Sequence, residues 1–342
     1  MKCCITFSLF LILFSCQKYA ETNSTSTTLS NSWYDETRTL YDGIPVTIRF
    51  YPHRQSLADE IWSYLNHVDL LFNDYRLDSE IGRINSAEQR TSLEISSEMA
   101  EVIQLAKTAY DITHGAIDIT IGPLRDLWKQ AAKNGSPPDH DKIKALKKQL
   151  GLDHVVLSGN TLSIKSQVIK LDVGGIVKGL AADKVMAMMR QENIEAALVQ
   201  VGGETTSFGL SKKQKPHTIG VQHPLIADAL WTTIVTSLQG FSGSTSGNYY
   251  RSIKIKEKNY YHIFDPKSGY PASTQVLSST VLFAELNKCW LTDILDTAGT
   301  ILPTNEFLPL VEKLGGQALV LVDKDNTVKT YQTAKWQDFA AP

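Results

Sequence analysis

The stretch Val155–Gly179, VVLSGNTLSIKSQVIKLDVGGIVKG, decides the fold class. Val155–Leu157 and Thr161–Ile164 read as two short strands joined by a hairpin at Ser158-Gly159-Asn160, because Gly and Asn tolerate the left-handed backbone of a tight turn. Val168–Val173 reads as a further strand, closed by Gly174-Gly175, and Ile176–Arg190 as the helix that follows. Downstream, strands are expected at Ala196–Val201, Thr232–Leu238, Ser252–Ile255 and Ser278–Phe283, a helix at Cys289–Ile301, and a closing hairpin around Val322-Asp323-Lys324-Asp325-Asn326. Upstream, Arg38–Tyr51 alternates apolar and polar residues as a strand entered through Asp42-Gly43, and Leu57–Phe72 has helical spacing. Phe72–Ile81 reads as a loop leading into a short helix. Ser96–Thr113 reads as an amphipathic helix suited to capping by Ser96 and Glu98 and broken by Gly115. Lys133–Asp141 is expected as a surface loop before the basic helix Asp141–Leu150. Strands outnumber helices and several are hairpin-linked, which predicts an α+β fold rather than a doubly wound parallel sheet, and no internal repeat is visible.

The chain has 342 residues, 42% hydrophobic and 20% charged, a composition that excludes collagen-like, disordered and polytopic membrane classes. Its 34 basic and 36 acidic side chains nearly balance, so no summed field attracts a polyanion and nucleic acid is not an expected partner. Three of the four cysteines, Cys3, Cys4 and Cys16, fall in the first sixteen residues, which leaves Cys289 alone in the body and rules out a disulfide framework there. Cys289 reads as a small buried apolar residue. Lys2 followed by the apolar run Ile5–Phe14 has the order of a secretory signal and is too short to span a bilayer. Its end, Leu13-Phe14-Ser15-Cys16, resembles a bacterial lipobox whose cysteine is acylated, the alternative being an ordinary signal peptide cut nearby. Residues 17–32, rich in Ser, Thr and Asn, bury too little apolar surface to order themselves and read as a tether. The expected division is a lipoprotein signal over 1–15, a tether over 16–32 and one functional domain over 33–342.

Three constellations carry chemistry. Leu171-Asp172-Val173-Gly174-Gly175-Ile176-Val177-Lys178-Gly179 places glycines and a lysine at a helix N-terminus, where unpaired N–H groups and the positive charge can receive a phosphate. It is neither a Walker loop nor Gly-x-Gly-x-x-Gly, and the glycines could equally serve only a tight strand-to-helix turn. In Thr292-Asp293-Ile294-Leu295-Asp296-Thr297-Ala298, Asp293 and Thr297 are four apart on a helix and share a face. Carboxylate and hydroxyl oxygens together suit Mg²⁺, although acidic residues also complement a helix dipole without any metal. Tyr261-His262-Ile263-Phe264-Asp265-Pro266 through Pro271 ends a strand at a Pro and Gly turn, where His262 could act as a general base near neutral pH.

Taken together and in order, these segments resemble the ApbE family of flavin transferases, which move FMN from FAD onto a Thr or Ser of an acceptor protein. The resemblance runs from about Leu40 to Thr300. It rests on Phe72-x-x-Tyr75-x-x-x-Ser79-Glu80-Ile81, on Gly115–Leu124 with Trp128, and on Asp172-x-Gly174-Gly175-x-x-Lys178-Gly179-x-Ala181-x-Asp183. Val201-Gly202-Gly203-Glu204, Ser244-Thr245-Ser246-Gly247, His262-x-x-Asp265-Pro266-x-x-Gly269-x-Pro271 and Asp293-x-x-x-Thr297 complete it.

The resemblance implies that Asp293, Thr297 and the backbone carbonyl of Gly175 bind Mg²⁺. It implies an FAD site lined by Tyr41, Tyr75, Ala116, Ile117, Asp118, Asp172, Lys178 and Phe264, with Tyr41 standing where the family often has Met. The implied fold is a two-lobed, T-fold-like α+β architecture with mixed sheets and a flavin cleft between the lobes. His262, with Asp265 as a candidate orienter, would take the proton of an acceptor Thr or Ser hydroxyl as it attacks the FMN phosphorus and AMP departs. Two other outcomes use the same parts: hydrolysis of FAD to FMN and AMP, or plain storage of the dinucleotide. The family includes periplasmic lipoproteins, consistent with a chain held through acylated Cys16 to the periplasmic side of a bacterial inner membrane.

Overall fold

The computed structural model describes residues 31–41, 43–88, 91–247, 252–272, 275–325 and 327–340. The expected signal, Cys16 and most of the tether lie outside the described residues. The chain opens with β1 (Tyr34–Leu40) and β2 (Ile44–Tyr51), which pair as a hairpin where one strand was expected, followed by α1 (Gln55–Phe72) and α2 (Glu80–Ser86). After β3 (Leu93–Glu94), α3 (Ser97–Ile112) starts at Ser96, whose hydroxyl accepts the Met99 N–H at 3.1 Å as the capping pattern predicts. α4 (Gly122–Asn134) begins with Pro123 and ends at Gly135 in the left-handed conformation, φ 69°. α5 (His140–Lys147), β4 (Val155–Ser158), β5 (Thr161–Ile164) and α6 (Gly174–Gln191) complete the N-terminal half. Then come β6 (Ala196–Val201), β7 (Glu204–Phe208), β8 (Thr218–Gln222), β9 (Leu230–Val235) and β10 (Phe241–Gly247). β11 (Ser252–Ile255), β12 (Lys258–Tyr261) and β13 (Val276–Phe283) precede α7 (Cys289–Ala298), α8 (Thr304–Lys313), β14 (Gln317–Lys324) and β15 (Thr327–Gln332).

One eight-stranded sheet, in the order β1-β2-β6-β7-β10-β13-β14-β15, organises the large body. Its ladders are all antiparallel. Among the described residues the expectation of mixed sheets therefore narrows to one parallel bridge, between Ile121 and Lys170. The outer strand β2 alternates, sending Val46, Ile48 and Phe50 inward, whereas β7 and nearly all of β13 are buried on both faces. The reason is cover on each side. Helices α1, α3, α6, α7 and α8 build the main core against one face, and the β8–β9 hairpin with Trp336 packs on the other around Phe241, Leu282 and Leu321. A separate cluster of Leu124, Trp128, Ile143, Ile255 and Phe264 joins α4, α5 and the β11–β12 hairpin into a small lobe.

Val168–Val173 is a correction: it forms no strand of any sheet, and Val173 at its end has φ −107°, ψ 9°. Its backbone groups are taken by a side chain and a loop, Leu171 being bracketed by both amide atoms of Asn85 (2.7 and 2.9 Å) and the Asp172 N–H going to Ile119 O at 2.7 Å.

Candidate active site

The contact between α6 and α7 builds the centre. At the start of α6, Gly175 leaves helical geometry (φ −90°, ψ 16°), and the Gly174 N–H donates to Asp172 Oδ1 at 3.2 Å. Farther along, Gly179 lets α7 approach: a Cβ there would stand 2.6 Å from Cys289 C and 2.8 Å from Trp290 Cα, with Cys289 O closer still. One turn on, the Asp183 carboxylate accepts the first amides of α7, Cys289 N–H at 3.1 Å and Trp290 N–H at 3.0 Å. Helix α6 thus caps and seats α7 with its own side chain.

That seating delivers three oxygen-bearing residues to one point. Asp293 Oδ1 accepts from Lys178 Nζ at 2.8 Å and Oδ2 from the Gly179 N–H at 3.0 Å. Lys178 Nζ also donates to Gly174 O at 2.8 Å and reaches Glu204 Oε1 on β7 at 3.3 Å. Ser246 on β10 donates to Asp296 Oδ1 at 3.0 Å, and its Oγ lies 3.1 Å from Thr297 Oγ1. A Cβ on Gly175 would meet Thr297 Oγ1 at 3.8 Å, so these two residues face each other. The structure brings Asp293 and Thr297 of α7 together with Gly175 and Lys178 of α6, which lie more than a hundred residues earlier in the chain.

The electrostatics are those of a negative pocket. Three carboxylates, Glu204, Asp293 and Asp296, are buried around one ammonium. Burial, and then the neighbouring carboxylates, push the Glu204 and Asp296 acids well above the usual carboxylate range. Burial works against the Lys178 charge, but Asp293 and Glu204 outweigh it and raise its pKa, so the lysine stays cationic. Glu204 Oε2 and Asp296 Oδ2 are buried with no hydrogen-bond partner. Clustered acids that give up their protons to a cation, together with unfilled buried acceptors, fit a hard divalent ion with oxygen ligands. Among the described residues no three Asp, Glu, His or Cys side chains form a metal cluster by themselves, so such an ion would also draw on the Thr297 hydroxyl and backbone carbonyl oxygen.

The remaining candidates fall into separate groups. Tyr75 is 62% exposed, and its ring is flanked by Lys129 Nζ at 4.9 Å and the Arg125 guanidinium at 5.9 Å. Arg125 pairs with Asp74 and with Asp172 (2.8 Å), tying Tyr75 to the segment that leads into α6. Ala116, Ile117 and Asp118 adjoin that segment through the Ile119–Asp172 bond but are buried. Asp118 spends Oδ1 on the Thr120 N–H (2.8 Å) and hydroxyl (2.7 Å), and burial raises its pKa. Contact with a ligand at Ala116–Ile117 would therefore come from backbone rather than side chains. Tyr41 packs on the main core beside α1, its hydroxyl donating to Leu65 O at 3.1 Å.

Phe264 is 2% exposed and sits in the small-lobe core, 6.4 Å from the Trp128 ring. Its ring belongs to one buried cluster with Leu124, Trp128, Ile143 and Ile255, and its backbone bridges to Pro271 across the turn. His262 lies at the end of β12, stacked on Tyr261 at 5.8 Å. Asp265 Oδ1 accepts the Lys267 N–H (2.9 Å) and Oδ2 the Ser268 N–H (3.2 Å), so the carboxylate braces its own turn. Glu204, Ser246, Asp183 and Arg125 are functional neighbours to which sequence reasoning gave no role. The signal for Glu204 was a lone acid opening a strand after two glycines, and for Asp183 its position one helical turn beyond Gly179.

Comparison with known proteins agrees with this architecture. The model of the ApbE family matches residues 43–321. A Klebsiella pneumoniae protein named FAD:protein FMN transferase is 33% identical over 242 residues, 70% of this chain and 74% of that protein. One of the same name from Vibrio cholerae is 27% identical over 337 residues, 98% of each. The solved flavin transferase ApbE from Vibrio cholerae superposes with a TM-score of 0.76 at 26% identity, covering 90% of this chain and 99% of that one. The apbE protein of Thermotoga maritima, at 24% identity, shares the fold with a TM-score of 0.79.

Proposed function

The chain belongs to the ApbE family, and from that premise we propose that the α6–α7 centre transfers FMN from FAD to a Thr or Ser hydroxyl of an acceptor protein, with Mg²⁺ as the cofactor. The observation that carries the reading is the convergence of Asp293, Thr297, Gly175 and Lys178 on one buried, cation-seeking point. Asp293, Thr297 and the Gly175 carbonyl would hold Mg²⁺, which when bound supplies Lewis-acid stabilisation of phosphate charge. The kinked N-terminus of α6 presents amides to the FAD diphosphate, and Lys178, kept charged by Asp293 and Glu204, adds a fixed cation beside it. Tyr75, with Lys129 and Arg125 around it, offers an exposed ring on the approach to Asp172.

In the transfer, the acceptor oxygen bonds to the FMN phosphorus as the bond to the bridging oxygen breaks, and AMP leaves with that oxygen. His262, at the end of β12, accepts the hydroxyl proton in this reading. We further assign Cys16 as an acylated mature N-terminus that holds residues 33–342 on the periplasmic side of the inner membrane. Lys2, the run Ile5–Phe14 and the polar stretch after Cys16 support that assignment. No described helix is long and apolar enough to cross a membrane.

The deciding experiment incubates the protein with FAD, Mg²⁺ and a Thr-containing acceptor protein and follows products by mass spectrometry. An FMN adduct on the acceptor that disappears with EDTA is the expected result. Free FMN and AMP without adduct would replace transfer by hydrolysis, and intact FAD would reduce the protein to a binder.

A further inference from the structure

The tip of the β8–β9 hairpin carries an apolar surface that the transfer reaction does not use. Leu225 and Ile226 in the turn and Leu230 at the first position of β9 are 57%, 56% and 60% exposed. The turn is built rather than loose: His223 Nδ1 accepts the N–H groups of both Leu225 and Ile226 at 3.1 Å, and its ring packs 5.1 Å from Trp231. The hairpin is fixed on the large sheet by Ile234 near its base and Val221 near its tip, and Val235 N–H donates to Phe339 O at 2.8 Å. Over residues 216–243 the only charged side chain is Asp228. Three large aliphatic side chains held outward on a nearly uncharged, anchored hairpin are what a soluble surface avoids and what an interfacial contact uses.

The position of the N-terminal exit says what covers it. Ser32 O accepts the His53 N–H at 2.8 Å, and the Trp33 ring lies 5.7 Å from Tyr51 and 6.5 Å from His217, the residue before β8. The chain that leads back to Cys16 therefore leaves the body at the base of this hairpin. Residues 17–32 can span up to roughly 55 Å when extended, whereas the five residues of β8 carry the chain only roughly 17 Å from base to tip. An acyl group at Cys16 and the hairpin tip can thus occupy the same bilayer without strain in the connection. Trp231 at the junction of tip and stem suits the headgroup level, where aromatic rings gather.

We propose that Leu225, Ile226 and Leu230 dip into the phospholipid bilayer and orient the tethered domain on it. The proposal rests on the lipoprotein assignment of Cys16. It adds a second, reversible contact to the acyl anchor and fixes which face of the large sheet, the one under β8–β9, meets the membrane. The opposite face, packed by α8, would look away from it.

The test uses the full-length chain, processed in cells and reconstituted into phosphatidylethanolamine–phosphatidylglycerol vesicles. A nitroxide is attached at Ile226→Cys, or at Lys313→Cys on α8 as the control; Cys289 is buried and does not compete. Flotation reports the anchor, and collision of the nitroxide with oxygen or with a water-soluble nickel chelate reports depth. Expected are flotation of both labelled chains, oxygen collisions dominating at 226, and nickel collisions dominating at 313. Flotation with nickel dominating at both positions overturns the tip contact while leaving the anchor intact. Failure to float overturns the anchor and the tip contact with it. Protection at 226 that persists after the vesicles are dissolved assigns the tip to a protein partner, a second copy or the acceptor, and also overturns the proposal.

Discussion

Gly179→Ala tests the seating of the active site most directly. The added Cβ would stand 2.6 Å from Cys289 C and 2.8 Å from Trp290 Cα, whereas ordinary contact begins near 3.4 Å, so α7 must back away by about 1 Å. Asp183 holds the same end of α7 by two amide hydrogen bonds of 3.1 and 3.0 Å, and these stretch as the helix retreats. Overpacking costs about 1–3 kcal/mol, and weakening the charge-assisted bonds at Asp183 and Asp293 adds about 1–2 kcal/mol, for a total of about 2–5 kcal/mol. Because Asp293, Asp296 and Thr297 ride on α7, the same shift should lower kcat about a hundredfold. Gly174→Ala is the stability control: that residue is exposed, a Cβ there meets only Asp172 Oδ1 at 3.4 Å, and the expected change is within about 0.5 kcal/mol. Urea denaturation at unchanged slope measures both. A Gly179→Ala protein within 0.5 kcal/mol of the parent, with kcat unchanged, would refute the close α6–α7 contact as the device that places the centre.

Asp183 should leave a signature in the pH dependence of stability. Its folded pKa is raised by burial from 3.8 to about 6, so the native state holds the extra proton between those values and stability falls as pH rises through them, by up to about 3 kcal/mol. The difference between parent and Asp183→Asn denaturation curves should carry that slope between pH 4 and 6; a flat difference contradicts it. Lys178→Met removes the ammonium that pairs with Glu204 and Asp293 and should cost about 3–5 kcal/mol, part of which Glu204→Gln restores in the double variant. Additive losses in that cycle would show that the two side chains do not interact. Mg²⁺ should raise the melting temperature of the parent in a concentration-dependent way, equivalent to about 2.7 kcal/mol at a hundred times Kd, and should leave Asp293→Asn unmoved. An equal rise in both would take Asp293 out of the metal site.

The parts of this molecule that were legible in sequence are those written in a short period. Asp293 and Thr297 share a face because a helix repeats every 3.6 residues, and Val46, Ile48 and Phe50 share one because a strand repeats every two. The parts that escaped are written in long-range contacts. Strands β7 and β10 read as polar, ETTSF and FSGSTSG, yet Thr205, Thr206, Ser207, Ser242 and Ser244 are buried between two covered faces of the sheet, where no alternation is required. Val168–Val173 has the composition of a strand and was denied a ladder by Asn85, 86 residues away. Asp265 follows His262 by three residues, and what its sequence position does not reveal is that its carboxylate also accepts two amides of its own turn.

The same distinction explains why the buried centre is informative despite its cost. Three carboxylates around one lysine destabilise the folded chain unless a further cation arrives, since each charge forfeits hydration on burial. A purely structural network would have satisfied Glu204 Oε2 and Asp296 Oδ2 with a donor, as Ser246 satisfies Asp296 Oδ1. The fold instead spends a close glycine contact, a side-chain cap from Asp183 and a kink at Gly175 to bring acceptors together and leave two of them open. Expensive geometry that ends in unfilled buried oxygens has its compensation in what those oxygens bind, which is why we place the chemistry at the α6–α7 junction and not at either surface cavity beside α5 or α1.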